Sequence, residues 1–237
     1  MDYNRVFAVG ASAGGIEALL TIVQQLPADF AAPILIVVHI SPDSPGYLPE
    51  ILAQHGRLPA TNGIDGTVIE NGRIYFAPPD RHLIVDKHGK LQTPRGPREN
   101  WSRPAIDPLF RSVALGFGTR SVGIVLSGGL NDGSEGLRAI KLYGGTTIVQ
   151  DPSDAIVNSM PLNAMRNTTI DYCLPASEIG SQISKLAQQR PAIKQASIPP
   201  TTRQQIAREV AKIRHRARRL DSAGGRRRHM TATTAIG

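Results

Sequence analysis

Apolar residues in this chain fall either into short continuous runs or into segments where they recur at helical spacing. Continuous, mostly β-branched runs are typical of strands buried on both faces of a parallel sheet. They predict strands over residues 5–10, 34–38, 122–126 and 146–149, and near Tyr172. Apolar positions with a helical period predict helices over residues 16–26, 47–55, 105–115, 134–143, 160–166 and 177–188. Because strands and helices alternate, we expect a doubly wound α/β fold, with a mostly parallel sheet flanked by helices.

Residues 63–93 depart from this alternation. Gly66, Gly72 and Gly89 separate short alternating segments, which is typical of hairpins. We therefore predict a small antiparallel hairpin insertion around residues 63–93, built from residues 67–70, 73–76 and 82–86. The stretch from Pro94 to Pro104 is predicted to be a polar loop.

The net charge of +8 is concentrated near the C-terminal end. Twelve of the 27 basic residues, but only two of the 19 acidic ones, lie between Arg190 and Arg228. We predict a globular domain over residues 1–189 and a basic appendage over residues 190–237. The appendage is predicted to contain a linker at residues 191–200, a helix at residues 202–220 and a disordered terminus from Gly224.

The basic appendage has several interpretations. It could contact nucleic acid or an anionic membrane, attract an acidic protein surface, or be a solvated terminus. We do not favour nucleic acid or membrane contact, because the rest of the chain is nearly neutral, with 15 basic and 17 acidic residues.

Two further features limit the class of protein. No apolar run approaches the roughly 18 residues needed to span a bilayer. The single cysteine, Cys173, excludes an intrachain disulfide and a multi-cysteine metal site, and its apolar neighbours predict a core position. These features together predict a cytoplasmic protein.

A glycine-rich turn follows the first predicted strand. Gly10-Ala11-Ser12-Ala13-Gly14 fits G-x-S-x-G, a sharp strand-to-helix turn that exposes a serine hydroxyl. The amides at the start of the next helix can stabilise an oxyanion there. A phosphate-binding glycine turn is the alternative, although Ser12 then occupies a glycine position. The motif alone leaves both interpretations open.

Two more polar residues follow buried strands of the same sheet. His39 comes directly after residues 34–38, and Asp132 lies in the loop after residues 122–126. Ligands bind at the carboxyl ends of strands in open α/β sheets, and consecutive strands are usually neighbours. Taken singly, His39 could be an ordinary loop histidine and Asp132 a helix N-cap. Together with Ser12 they provide a nucleophile, a base and an acid that orients the base. Their order along the chain, Ser-His-Asp, differs from the order in α/β-hydrolases.

Several blocks, in this order, resemble the catalytic domain of CheB-type protein-glutamate methylesterases. The resemblance covers about residues 5–183, and the matching blocks are Gly10–Gly15, His39, Ala77–Leu83, Arg103–Ser112, Asn131–Gly133, Gln150–Pro152 and Met160–Pro161. It implies a methylesterase catalytic domain over residues 1–189, with Ser12, His39 and Asp132 as the triad of a serine hydrolase.

The resemblance also implies a reaction and a partner. The reaction is hydrolysis of glutamate γ-methyl esters in an acidic helical region of a methylated, chemoreceptor-like protein, releasing methanol in chemotaxis-type signalling. An acyl-enzyme would form on Ser12, and the backbone amides of Ala13 and Gly129 are the candidate oxyanion hole. No metal or organic cofactor is expected. Some family members also deamidate receptor glutamines.

The chain departs from the family pattern around the site. The family loop T-G-M-G-x-D-G here has Gly129 for Met and Leu130 for glycine. Ala13 stands where threonine is common, and Trp101 lies where a histidine often precedes Arg-Pro. These changes bear on substrate fit and rate. Because the serine motif begins by residue 10, we expect no receiver domain ahead of it. We expect the activity to be controlled by a separate partner, by the basic appendage or by neither.

Other functions stay open at this point. The same triad would suit another ester or amide hydrolase, including a protein-glutamine deamidase. Gly129 and Leu130 favour a catalytically weak regulatory binding module of the same fold. A nucleotide-binding protein is disfavoured by the mismatch to G-x-G-x-x-G.

Overall fold

Parallel strands form the centre of the fold. The computed structural model describes residues 3–191 and 198–225, with side chains described as far as residue 214. The strands are β1 (Val6–Ala11), β2 (Ile34–Val38), β3 (Ala60–Asn62), β4 (Ile74–Phe76), β5 (Ile84–Val85), β6 (Leu91–Gln92), β7 (Ser121–Val125), β8 (Thr146–Gln150) and β9 (Tyr172–Leu174). Seven of them pair in the order β3-β4-β2-β1-β7-β8-β9, all parallel, while β5 and β6 form a separate antiparallel hairpin.

Helices cover both faces of this sheet. They are α1 (Gly15–Gln24), α2 (Leu48–His55), α3 (Ile106–Phe117), α4 (Ser134–Leu142), α5 (Ser159–Asn167), α6 (Ala176–Gln188) and α7 (Pro200–Gly225), with a 3₁₀ turn at Gly118–Arg120. Phe7 and Val9 of β1 pack with α1, α2 and α6, whereas Ala8, on the opposite face, packs with α3, α4 and α5. This two-sided core confirms the doubly wound α/β fold expected from the sequence.

The middle strands are buried along their whole length, because helices cover them on both sides. Every residue of β1, β2 and β7 is buried. Gly10, near the end of β1, leaves no room for a side chain, because a Cβ there would overlap Ile106 at the start of α3. The N-terminus of α3 therefore lies directly against the strand that leads into Ser12.

The region around residues 63–93 contains the expected antiparallel hairpin, but a smaller one. Residues 74–76 instead form β4, which pairs parallel to β2 and β3 within the main sheet. Residues 67–70 form no strand, and Val68 makes only an isolated bridge to Lys90. Strand β3 was not predicted, because its three residues include only one apolar side chain. Short segments carry too little pattern to separate parallel from antiparallel pairing.

The prediction for Cys173 is wrong. This thiol is exposed, because Cys173 lies on β9 at the edge of the sheet, with only one neighbouring strand. Its neighbours Tyr172 and Leu174 are partly buried on the opposite face, so alternation along an edge strand puts Cys173 outside the core.

The basic helix predicted over residues 202–220 is present as the longer helix α7. Gly224, assigned to a disordered terminus, belongs to α7, and residues 226–237 lie outside the described part of the chain. The predicted linker also falls mostly outside it, at residues 192–197, and the domain boundary at residue 189 stays a prediction. None of the described helices is long and apolar enough to cross a bilayer.

The two-sided core predicts different outcomes for two isoleucines on helices. Ile140 of α4 is fully buried against the sheet, whereas Ile51 of α2 is exposed. Ile140→Ala should lower the free energy of unfolding by about 2–5 kcal/mol through lost burial and a residual cavity. The matched change Ile51→Ala should alter it by about 0.5 kcal/mol or less. Urea denaturation measures both, and equal effects would contradict this packing.

Candidate active site

Ser12, His39 and Asp132 all lie at the carboxyl edge of the sheet centre. Strand β1 lies between β2 and β7, so the residues that follow these three strands meet there. Ala11 pairs with Val38 in register, and the backbone N–H of His39 donates to the Ala11 carbonyl at 3.1 Å. Ser12 and His39 therefore start from adjacent positions, each one residue beyond a paired strand, as expected from the sequence.

Tight backbone contacts hold the turn at Ser12. Its N–H donates to the Ser127 carbonyl at 3.0 Å, and its own carbonyl accepts from Gly15 N–H at 2.9 Å. Gly14 has φ +73° where it begins α1, a left-handed conformation that favours glycine. Gly128 approaches so closely that a Cβ there would lie 2.8 Å from Ser12 Cβ. The half-buried serine is thus held between the loops after β1 and β7, at the N-terminus of α1.

His39 and Asp132 form a hydrogen-bonded pair. The distance between His39 Nε2 and Asp132 Oδ2 is 2.7 Å, and the two side chains are 19% and 2% exposed. Because the carboxylate accepts, Nε2 carries the hydrogen of this bond, and in the neutral form of the ring Nδ1 keeps its lone pair. Within residues 3–191, the Ser12 hydroxyl makes no hydrogen bond to His39. Such bonds often tighten only when substrate binds.

The Asp132 carboxylate is buried and accepts five N–H groups. The donors are His39 Nε2 and Ile106 N on Oδ2, both at 2.7 Å, with Asn100 Nδ2 at 2.6 Å, Gly133 N at 2.9 Å and Asp107 N at 3.1 Å on Oδ1. Ile106 and Asp107 supply free amides of the first turn of α3, so Asp132 caps α3 and not the helix that follows it. Burial raises the pKa of Asp132, but the hydrogen bond and charge of His39, with the other donors, hold it below its ordinary value.

A second buried carboxyl group, Asp107, shares a donor with Asp132. Asn100 Nδ2 donates to Asp107 Oδ2 at 2.8 Å as well as to Asp132, and Gly136 N–H donates to Asp107 Oδ1 at 2.7 Å. Burial, and then the charge of Asp132, raise the pKa of Asp107 to about 7. Near neutral pH the pair therefore holds one firmly ionised carboxylate and one that titrates.

Sequence reasoning missed both Asn100 and Asp107 as site residues. Asn100 lies in a loop without periodicity, and its φ of +49° brings its amide to Asp132 only in the folded chain. Asp107 belongs to the block from Arg103 to Ser112, which was the only signal that pointed to it.

The two predicted oxyanion donors are available. Neither Ala13 N–H nor Gly129 N–H donates to another group in the described part of the chain. Ala13 is exposed at the start of α1, and no atom lies within 4 Å of a Cβ built on Gly129. Both residues therefore have open space beside them, and the role of their amides in catalysis stays a prediction.

Three of the departures from the family pattern, Ala13, Leu130 and Trp101, are exposed. Leu130 has φ +65° and is 69% exposed, a conformation that costs a non-glycine residue about 1–2 kcal/mol. Asn163 Nδ2 donates to the Leu130 carbonyl at 2.7 Å and holds this turn. Trp101, beside Asn100, is 89% exposed, and exposed Ile156 lies against Gly14. Buried polar contacts thus support the His39–Asp132 pair, while the loops that carry Asn100 and Asp132 also expose apolar side chains.

No group of three or more His, Cys, Asp or Glu side chains is placed to hold a metal ion among the residues that the structure describes. A serine in a sharp turn, beside a histidine–carboxylate pair on a doubly wound parallel sheet, is the arrangement expected of a serine hydrolase. A family model for CheB methylesterase matches residues 7–183. The chain belongs to the CheB methylesterase family.

Individual relatives agree with this assignment. The chain is 37% identical over 188 residues to a putative protein-glutamate methylesterase/protein-glutamine glutaminase of Leptospira interrogans, covering 79% of this chain and 97% of the relative. It is 38% identical over 181 residues to protein-glutamate methylesterase/protein-glutamine glutaminase 2 of Anaeromyxobacter dehalogenans, covering 76% of this chain and 53% of the relative. The crystal structure of the Thermotoga maritima CheB methylesterase catalytic domain superposes with a TM-score of 0.75 at 30% identity, over 78% of this chain and all of that one.

Asp107 should make the stability of the chain depend on pH. Folding raises the pKa of Asp107 from 3.8 to about 7, so the proton bound to Asp107 stabilises the folded state. This stabilisation is complete below the unfolded pKa of 3.8. It is lost as the pH rises through the pKa of Asp107 in the folded chain, about 7. The free energy of unfolding of the wild type, relative to Asp107→Asn, should therefore fall between about pH 4 and 7, by at most about 1.4 kcal/mol per pH unit. Denaturant titrations across this range measure it, and parallel curves for the two proteins would contradict it. Asp132, whose pKa is lowered, acts in the opposite sense and only at lower pH.

Proposed function

We propose that this chain hydrolyses glutamate γ-methyl esters on a methylated, chemoreceptor-like protein, releasing methanol in chemotaxis-type signalling in the cytoplasm. Ser12 is the nucleophile, His39 the base and Asp132 the residue that orients the base. The observation that carries the proposal is the His39–Asp132 hydrogen bond directly beside Ser12. Membership of the CheB methylesterase family and the activity in the names of its relatives support the substrate class.

The proposed reaction gives each proton a path. His39 Nε2–H is held by Asp132, so Nδ1 takes the proton of the Ser12 hydroxyl as its oxygen attacks the ester carbonyl. His39 then gives this proton to the departing methoxy group, which leaves as methanol, and the glutamyl group stays on Ser12 as an acyl-enzyme. Water, activated by the same nitrogen, cleaves the acyl-enzyme and restores both the serine and a glutamate carboxylate.

Charge develops at two points along this path. The imidazolium formed on His39 is stabilised by the Asp132 carboxylate, whose pKa is held low by His39 and the donors around it, against the effect of burial. The oxyanion of the tetrahedral intermediate is stabilised by the amides of Ala13 and Gly129 and by the N-terminus of α1. The proposed reaction uses no metal or organic cofactor.

The proposed partner is an acidic helical region of the receptor that carries the methyl esters. Trp101 and Leu130 are exposed apolar residues on the loops that carry Asn100 and Asp132, and exposed Ile156 lies against Gly14, so all three are available to contact a protein substrate. Nucleic acid and membrane contact by the basic appendage are not part of the proposal.

Deamidation of receptor glutamines is a second candidate activity, favoured by the second activity in the names of the relatives. The same steps would apply, with ammonia as the leaving group in place of methanol. A catalytically weak binding module is the third, and the strained Leu130 in the loop before Asp132 favours it.

The central test uses receptor membranes that carry labelled methyl esters. Wild-type protein should release methanol, and Ser12→Ala should lower the rate by at least about 10³-fold, because the acyl-enzyme cannot form. Equal release from the two proteins would contradict the serine mechanism, and no release from either would favour the binding module. Ammonia release from unmethylated membranes decides on deamidation.

The two other members of the triad should differ in their effects. His39→Ala should lose nearly all turnover while the protein stays folded, because no other nitrogen is left to accept the serine proton. Asp132→Asn should lose less, because Asp132 orients the ring without exchanging a proton with substrate. Turnover and thermal unfolding are measured on both variants. A larger loss of turnover for Asp132→Asn than for His39→Ala in folded protein would contradict these roles.

A further inference from the structure

Helix α7 lies outside the stretch matched by the family model, which ends at residue 183, yet it packs onto the domain that carries the site. Ile206, Val210 and Ile213 are buried along one face of the helix. Ile206 joins the core on the α3 side of the sheet, and the other two pack with Ile84 of β5. Over residues 200–214 the basic appendage is therefore a docked helix.

The backbone of α7 lies directly against the loop that carries Asn100. A Cβ built on Gly96 would lie 2.8 Å from the Ile213 carbonyl oxygen, so only glycine allows this approach. On its other side, the Gly96 carbonyl accepts Arg103 Nη1 at 2.7 Å, and Arg103 also donates to Asp80. The start of the loop is thus held between α7 and Arg103.

A buried arginine makes a second link between α7 and the same loop. Arg111 of α3, 6% exposed, pairs through Nη2 with Glu99, the residue before Asn100. Its Nε lies 3.4 Å from Glu209 Oε2 of α7, an ion-pair distance without a close hydrogen bond. One guanidinium group therefore joins the helix to the residue next to Asn100.

These contacts form a continuous path from α7 to the proposed triad. It runs through Glu209, Arg111, Glu99 and Asn100 to Asp132, and ends in the 2.6 Å hydrogen bond from Asn100 Nδ2. We propose that α7 is a positioning element of the active site, which fixes residues 96–100 and so holds Asn100 on Asp132. Its effect on turnover rests on the proposed function. Glu209, Arg111, Glu99 and Asn100 are positioning residues, because they act through Asp132.

The first arm of the test needs no substrate and uses the full chain. Ile213→Asp puts a charge into the buried contact of α7, so the helix should separate from the loop. Amide hydrogen exchange at Ile106 and Asp107, whose N–H groups donate to Asp132, should then accelerate by about tenfold or more. Exchange at Val9, in the central strand, should stay unchanged. The matched control is Arg208→Ala, on the exposed face of α7, which should change none of these rates.

The second arm measures turnover in folded full-length variants. Glu209→Gln should lower kcat by about 2- to 30-fold and leave KM unchanged, because it loosens Asp132 without touching substrate. Asn100→Ala should lower kcat at least as much. The double variant should match Asn100→Ala alone, because Glu209 acts only through Asn100, and Arg208→Ala should keep the wild-type kcat.

The outcomes separate this proposal from the proposed function. Additive losses in the double variant, or unchanged exchange at Ile106 and Asp107 in Ile213→Asp, would overturn the role of α7. A wild-type protein that releases no methanol would defeat the proposed function alone, and the exchange measurements would still decide whether α7 positions Asp132.

Discussion

The buried carboxylate of Asp132 is the constraint around which the site is arranged. A charge removed from water is expensive unless hydrogen-bond donors replace its hydration, and here five N–H groups do so. These donors come from the loop after β2, the segment before α3, the first turn of α3 and the loop after β7. Segments far apart in sequence therefore meet at this carboxylate, which also orients the imidazole of His39.

The parallel sheet makes this convergence possible. Since all seven strands run the same way, each strand end contributes its loop to the same edge, and the central β1 places Ser12 between the loops of β2 and β7. Close packing below the edge then sets the distances. Gly10 lets α3 approach β1, and Gly128 lets the β7 loop approach Ser12, so the free amides of α3 reach Asp132 and the serine stays half-buried.

The sequence predicts the parts of the site that follow directly from strand ends. His39 comes one residue after a continuous β-branched run, and its place at the edge follows from that run. The alternative interpretation, in which Asp132 caps the helix that follows it, is wrong. The amides that Asp132 caps belong to α3, 26 residues earlier in the chain. Asn100 could not be found, since a loop residue with positive φ leaves no periodic signal. Cys173 was misplaced for a related reason, because apolar neighbours do not distinguish an edge strand from a central one.

Helix α7 shows why net charge alone is a poor guide to the C-terminal region. Its buried residues 206, 210 and 213 follow the i, i+4, i+7 spacing of one helical face, while Arg203, Arg208 and Lys212 are exposed. The basic composition describes the solvent face, and the docking depends on the apolar one. Because the docked face lies against the loop that holds Asn100, this face, and not the exposed basic one, links the appendage to Asp132.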